Sequence, residues 1–489
     1  MKNRRQNMRV LEGLKPERFF YYFEEITKIP HGSFNTDAIS DYCLSVGQSL
    51  GLECWKDEFN NVTIIKEATE GYEQAPALII QGHLDMVNEK TPDSPHDFEK
   101  DPLKLCIEGD WIHATGTTLG ADDGIAVAYA LALLEDKTIS HPRLECIFTS
   151  DEEAGMDGAF GYDASRLTGK RMLNLDSDSE GIFLTSCAGG VRYQLLLPLR
   201  RIESAGNVVK ISLTGLMGGH SGVEIDKYRG NSNILMGYVL NRLSENVMFG
   251  LISVEGGLKD NAIPRDAFAT LMIDPEEFGT LKGCLAELEN GLQKDFAGIE
   301  ESISLTVSEP EEKEAAFIHP DDQKKALFLL MQVPNGVQAM SMNIQGLVET
   351  SLNLGVVETT DNQLSLSFAL RSSVESRKKA MGAKLENLIT FLGGTYETVG
   401  DYPGWAYCPN SELREMMAQV YRDMYGKEPV VQAVHAGLEC GLFSEKIPGV
   451  DIISTGPTAL DIHTPDERMC ISSAARFWEY LLEVLRRMK

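Results

Sequence analysis

Ala77-Leu78-Ile79-Ile80-Gln81-Gly82-His83-Leu84-Asp85 decides how this chain is read. The stretch from Ala77 to Gln81 has the character of a short buried strand, and an imidazole and a carboxylate follow it at once. The same order recurs along the chain. Leu144 to Thr149 leads into Ser150-Asp151-Glu152-Glu153-Ala154-Gly155, and Arg171 to Leu175 leads into Asp176. Val450 to Ser454 precedes Asp461-Ile462-His463-Thr464-Pro465 by one loop. Gly120-Ala121-Asp122-Asp123-Gly124 opens the strongly apolar helix Gly124 to Leu134, where two acids suit the positive end of the helix dipole.

Strands that alternate with helices predict a parallel sheet covered by helices. The remaining N-terminal signals agree: helices at Arg18 to Thr27 and Thr36 to Leu50, and a strand at Val62 to Lys66. In such a sheet ligands bind at the carboxyl ends of the strands. His83, Glu152 with Glu153, and Asp176 all fall there, and His463 follows its strand across a loop. Two imidazoles and three carboxylates suit a pair of borderline-hard divalent ions, zinc foremost. Asp85 and Glu152 are then spare carboxylates beside ligands, an arrangement that fits activated water and a hydrolase. Singly, each motif has a plainer reading. His83-Leu84-Asp85 could be an incidental surface pair, Asp122-Asp123 a helix cap, and Asp151-Glu152-Glu153 a solvated turn. Three adjacent acids after a buried strand are costly, however, unless something neutralises them.

From about Gly190 to Gly400 the pattern changes. Val208 to Leu213, Phe249 to Glu255 and Ala267 to Ile273 read as strands, with helices at Asn231 to Leu243 and Pro275 to Asn290. After the acidic segment Glu309 to Glu314 a second set follows: helix 321–332, strands 344–357 and 363–371, and helix 374–391. The expectation is an α+β insertion, long enough for two similar half-units. Helix–strand alternation returns at helix 411–425 and helix 471–488. The predicted organisation is a discontinuous catalytic domain, 1–189 and 400–489, with a mixed, mainly parallel sheet, and an inserted domain at 190–399.

At 489 residues two domains are the prior. A net charge of −28 argues against nucleic acid or an anionic membrane as partner. Met1 to Arg9 is basic, but no apolar run follows it, so no signal peptide is expected. No run is long enough to span a bilayer. Nine scattered cysteines without a C-x-x-C pair read as free thiols in a reducing cytoplasm.

Taken together, these motifs resemble the dinuclear zinc aminopeptidase and carboxypeptidase superfamily that includes carboxypeptidase G2, aminoacylase and carnosinase. The match is nearest to its Xaa-His dipeptidase branch. The resemblance covers almost the whole chain. It also draws on Lys28-Ile29-Pro30-His31-Gly32-Ser33, His435-Ala436-Gly437-Leu438-Glu439-Cys440-Gly441, and Gly456-Pro457 through Asp466-Glu467. Much of the superfamily has a lysine soon after the bridging aspartate, whereas this chain has Asp123-Gly124.

The resemblance implies that Asp122 bridges two zinc ions, with manganese or cobalt as substitutes. His83 and Asp176 would complete one site, Glu153 and His463 the other. Glu152 would be the general base, passing a proton from the attacking water to the leaving amine, and Asp85 would support His83. A cis peptide is implied after Asp122. The inserted domain would act as a lid that hinges at its two crossings. It would supply His220 to the oxyanion, Asn261 to the substrate amide and Arg371 to a free α-carboxylate, which a guanidinium grips bidentately. Glu439 would hold the α-amino group. The implied activity is that of a cytoplasmic dipeptidase acting on dipeptides that include Xaa-His. A tripeptidase or an N-acyl-amino-acid deacylase on the same scaffold stays open, as does a catalytically silent binding protein. A homodimer and an internally paired monomer are both open.

Overall fold

A computed structural model describes residues 9–489, so most of the basic segment Met1 to Arg9 lies outside the described residues. The chain divides into two units: Met1–Ser186 with Tyr407–Ala433 and Leu438–Lys489, and Cys187–Ala406 with Val434–Gly437. The sequence division at 190 and 400 differs at its edges and has no counterpart to the excursion at 434–437.

The first unit is built on an eight-stranded sheet. Its four central strands, Leu144–Thr149, Leu78–His83, Arg171–Asn174 and Asp451–Ser454, run parallel. Glu53–Lys56 and Val62–Lys66 extend one margin antiparallel, and Ile182–Cys187 joins the other antiparallel. The sheet is therefore parallel at its centre and antiparallel at its margins. Leu78–His83 and Leu144–Thr149 are buried at every position, which is why they read as continuous runs and not as alternation. The C-terminal segment does complete the sheet, since Asp451–Ser454 lies between Arg171–Asn174 and Ile182–Cys187.

Helix Ala121–Glu135 is buried on all sides from Asp123 to Leu134, as expected for a helix apolar all round. Tyr129 in this helix stacks on Phe19 with ring centroids 4.1 Å apart, and its hydroxyl donates to the Ala474 carbonyl at 2.7 Å. That bond ties the helix to Ile471–Arg487, whose Phe477, Leu481 and Val484 enter the same core. A separate four-stranded sheet orders Ala459–Leu460, Arg468–Cys470, Trp111–Ala114 and Leu105–Glu108. The two short hairpin strands in it were not legible because each spans a single turn-bounded run of four residues.

The second unit is a ten-stranded sheet whose pairings are all antiparallel. Two halves meet through the single pair Gly256 and Val357. Helices Ser232–Leu243, Phe278–Asp295, Pro320–Gln332 and Glu375–Phe391 all contribute to one apolar core. The acidic segment is not a separator. Glu311–Ile318 pairs along Arg201–Thr214 as a largely exposed strand, so solvent takes its charges and no alternation marks it. The strand expected at 344–357 begins at Val348 and pairs with a separate strand, Gly336–Met340. Gly189–Pro198 and Thr395–Tyr402, not anticipated, close the far margin. Five of the nine cysteines, Cys43, Cys146, Cys187, Cys440 and Cys470, are buried. Among the described residues no helix is long and apolar enough to cross a membrane.

Candidate metal centre

His83 is the last residue of its strand, Glu152 and Glu153 open the short helix Glu152–Gly155, and Asp176 lies just past Arg171–Asn174. The parallel register brings these strand ends side by side. His463 enters from the loop after Leu460 with a left-handed backbone, φ 62°.

Asp122 is central. Its Oδ1 lies 3.0 Å from His83 Nε2 and its Oδ2 lies 3.1 Å from His463 Nε2. His463 Nε2 is 2.8 Å from Glu153 Oε1, and His83 Nε2 is 4.0 Å from Asp176 Oδ1. The five expected ligands thus form one chain of contacts: Asp176, His83, Asp122, His463, Glu153. Donor atoms of His83, Asp122 and Glu153 all lie within 4.8 Å of one another, as do those of His83, Asp123 and Asp176. Asp123 nonetheless spends both oxygens on the backbone N–H groups of His83, at 3.2 Å, and Ala126, at 3.3 Å. Asp122 is the carboxylate that turns one oxygen to each imidazole. The peptide bond between Asp122 and Asp123 is cis, as the resemblance implied.

These residues fit a pair of divalent ions. Glu153 Oε1 is buried without a well-formed hydrogen bond. Burial, and then the Asp122 charge, hold the Asp176 carboxyl well above the ordinary carboxylate range. Hydrogen bonds to Asp122 and Glu153 raise His463 to about 10. Crowded carboxylates facing two imidazole nitrogens are the donor set that borderline dications neutralise.

The supporting groups are specific. His83 Nδ1 is 2.9 Å from the carbonyl of Asp85, a contact in which Nδ1–H donates and which leaves Nε2, on the side of Asp122, as the nitrogen that could ligate a metal. The Asp85 carboxylate acts mostly elsewhere. It accepts from the backbone N–H of Glu152 at 2.9 Å, from that of Glu153 at 3.2 Å and from Ser33 Oγ at 2.8 Å. Asp85 therefore aligns the imidazole by its backbone and the two glutamates by its side chain. Gly82 is required by space: a Cβ there would lie 2.2 Å from Ala126 Cβ and 2.4 Å from Asp123 Oδ2. Glu152 is half-buried. Burial raises its carboxyl well above the usual range, with Asp176, Glu439 and Glu153 adding to the rise against the pull of His83.

Behind the ligands lies a polar layer that motif reading missed. Asn174 Nδ2 donates to Gln81 Oε1 at 2.7 Å, and Gln81 Nε2 donates to Thr149 Oγ1 at 3.2 Å. Gln81 and Thr149 both donate to Glu439 Oε2. The signal was present, since Gln81, Thr149 and Asn174 are polar residues inside otherwise apolar strands. Glu439 is fully buried, its Oε1 has no partner, and burial lifts its carboxyl to about 7.

The second unit holds His220, Asn261 and Arg371. A two-stranded ribbon pairs Gly219–His220 with Ala262–Ile263, which brings His220 and Asn261 together. His220 Nδ1 accepts from the N–H groups of Gly222, at 3.1 Å, and Val223, at 3.2 Å, so the ring proton sits on Nε2. Burial and the nearby Arg371 charge lower the His220 pKa and keep the ring neutral at pH 7. Ser351, Arg371, Gly190 and Tyr402 stand opposite one another across four adjacent strands. The Tyr402 ring lies over Gly190, where a Cβ would meet its hydroxyl at 2.6 Å, and Arg371 donates to that hydroxyl at 3.3 Å, while its Nε is buried without a partner. Ser351 Oγ lies 2.7 Å from Nε2 of the buried His435.

Residues 79–487 match the model of peptidase family M20/M25/M40, and the chain belongs to that family. It is 38% identical over 481 residues to the cytosol non-specific dipeptidase of Escherichia coli strain K12, covering 98% of this chain and 99% of that one. It is similar in structure to aminoacylhistidine dipeptidase from Vibrio alginolyticus, with a TM-score of 0.92 and 36% identity over 98% of each chain. A TM-score of 0.56 at 16% identity to aminopeptidase PepT from Bacillus cereus, over 97% of this chain and 99% of that one, shows a shared fold. Family and ligand cluster together define a metal-dependent peptidase.

Proposed function

We propose that this chain is a cytoplasmic dinuclear zinc dipeptidase that cleaves free dipeptides, Xaa-His among them. One observation carries the reading: the two carboxylate oxygens of Asp122 are aimed at two imidazoles, each of which also meets another acid of the ligand set. The names of the E. coli and V. alginolyticus relatives support the dipeptide substrate and the cytoplasmic setting.

His83, Asp122 and Asp176 would hold one ion, and Asp122, Glu153 and His463 the other. A metal pair held there would supply Lewis acidity, to polarise the scissile carbonyl and to lower the pKa of water toward neutrality. Glu152 is not a ligand. It takes a proton at its carboxylate from the attacking water and delivers it to the leaving amine. His220 Nε2–H donates to the developing oxyanion, and Asn261 receives the substrate amide. Arg371, with an unspent donor at Nε, binds the substrate's α-carboxylate. Full burial of Glu439 favours a part in orienting Gln81 and Thr149 behind the ligands over direct contact with an amine.

Metal titration of purified protein tests the ligand assignment. Two ions per chain are expected, falling toward one or none in Asp122→Asn. A wild-type stoichiometry of one would rule out the bridging role.

A further inference from the structure

Glu467 makes the most concentrated set of hydrogen bonds near the metal centre, and it is not a ligand. It is 2% exposed, yet its carboxylate accepts four backbone N–H groups in a row. Oε2 accepts from Leu119 at 2.7 Å and Gly120 at 3.0 Å; Oε1 accepts from Ala121 at 2.8 Å and Asp122 at 3.2 Å. These are the orphan donors of the turn that starts helix Ala121–Glu135, and that turn presents Asp122. Gly120 at its heart has φ 69°.

The carboxylate comes from the far end of the chain, where it shares a loop with another ligand. Glu467 N–H donates to the Thr464 carbonyl at 3.1 Å, closing a turn directly after His463. Arg468, the next residue, begins the strand that pairs with Trp111–Ala114, so Glu467 is anchored on a sheet and not on a free loop. One side chain therefore fastens the His463 loop to the Asp122 turn, and the two ligands meet at 3.1 Å. Four charge-assisted bonds to backbone fix position more strictly than a single side-chain contact.

We propose that Glu467 is the positioning residue of the metal centre, coupling the His463 loop to the turn that presents Asp122. The proposal rests on the assignment of those two residues as ligands. Glutamine at this position has one oxygen where the carboxylate has two, and leaves two N–H groups facing an NH2 group. Aspartate keeps the charge but falls short by one methylene.

The test is metal affinity by competition with a chromophoric chelator, together with kcat at saturating metal. Glu467→Gln is expected to weaken zinc binding about 10–100-fold, the usual cost of losing a group that orients a ligand. Saturating metal should restore kcat to within a few-fold of wild type. Glu467→Asp, which keeps the charge, should also weaken binding and carries the test if the glutamine variant does not fold. Asp466→Asn removes an exposed neighbouring charge and should leave affinity unchanged. Wild-type affinity in Glu467→Asp, or an equal loss in Asp466→Asn, would overturn the coupling, the latter by reducing it to net charge. If Asp122→Asn binds metal as wild type does, the ligand assignment itself fails, and the proposal with it.

Discussion

In the unit that carries His83 and Asp122, each reactive side chain leaves the end of a buried strand or helix and is fixed by further groups. Asp85 sets one imidazole and two backbone N–H groups, Asp123 two backbone N–H groups and Glu467 four. In the unit that carries Arg371, the side chains stand in a row across an antiparallel sheet with few fixed partners. Arg371 has one neutral hydrogen bond and an unspent Nε. Metal coordination tolerates little displacement, so that chemistry demands over-determined ligands. Recognition of a mobile substrate end works with donors held ready but uncommitted. Sequence motifs follow the same divide, dense in the first unit and sparse in the second.

Glu152→Ala is the strongest test on the first side. Turnover should fall ~10²–10⁴-fold, the range for loss of a general base, while metal content by atomic absorption stays at the wild-type value. Loss of metal along with turnover would make Glu152 part of the scaffold and not the base.

Arg371→Met probes the second side. Losing a charge-assisted contact worth ~1.5–3 kcal/mol should lower kcat/KM for free dipeptides by roughly tenfold to a hundredfold. The same dipeptides amidated at the C-terminus should change little. Equal losses on both substrates would show that Arg371 does not read the carboxylate, and the comparison would lose its second half.

A pair of glycine substitutions sharpens the contrast in packing. Gly82→Ala drives a Cβ into Ala126 and Asp123 and should cost ~1–3 kcal/mol by denaturant unfolding, with weaker metal binding as Asp123 is pushed from His83. Gly283→Ala, on the exposed face of helix Phe278–Asp295 where nothing lies within 4 Å, should stabilise by ~0.5–1 kcal/mol. A neutral Gly82→Ala would mean the strand–helix contact has slack.

The smallest effect is expected from Tyr402→Phe. It removes one neutral hydrogen bond to Arg371 and should lower kcat/KM for free dipeptides ~2–10-fold, again sparing the amides. No change would assign Tyr402 to packing alone.

How much was legible follows from physics. His83, Glu153 and Asp176 could be found because strand ends in a parallel sheet point the same way, and that order is written locally in sequence; His463 comes instead from the loop after Ala459–Leu460, a strand of the separate four-stranded sheet. The roles of Asp123 and Glu467 could not be found. Each is defined by backbone N–H groups it accepts, and backbone donors leave no trace in residue type; Glu467 meets its partners across more than three hundred residues. The exposed strand Glu311–Ile318 was illegible because its burial, and so its alternation, is weak. Arg371 could be placed on a strand, but not its hydrogen bond to Tyr402, since that depends on register across several strands.

Steady-state hydrolysis by the metal-loaded protein tests the central claim most directly, with free dipeptides, their C-terminal amides, tripeptides and N-acyl amino acids assayed side by side. The account predicts that free dipeptides, Xaa-His among them, give the highest kcat/KM and that chelation abolishes turnover until zinc is restored. A higher kcat/KM for tripeptides, N-acyl amino acids or the amides, or turnover that survives chelation, would contradict it.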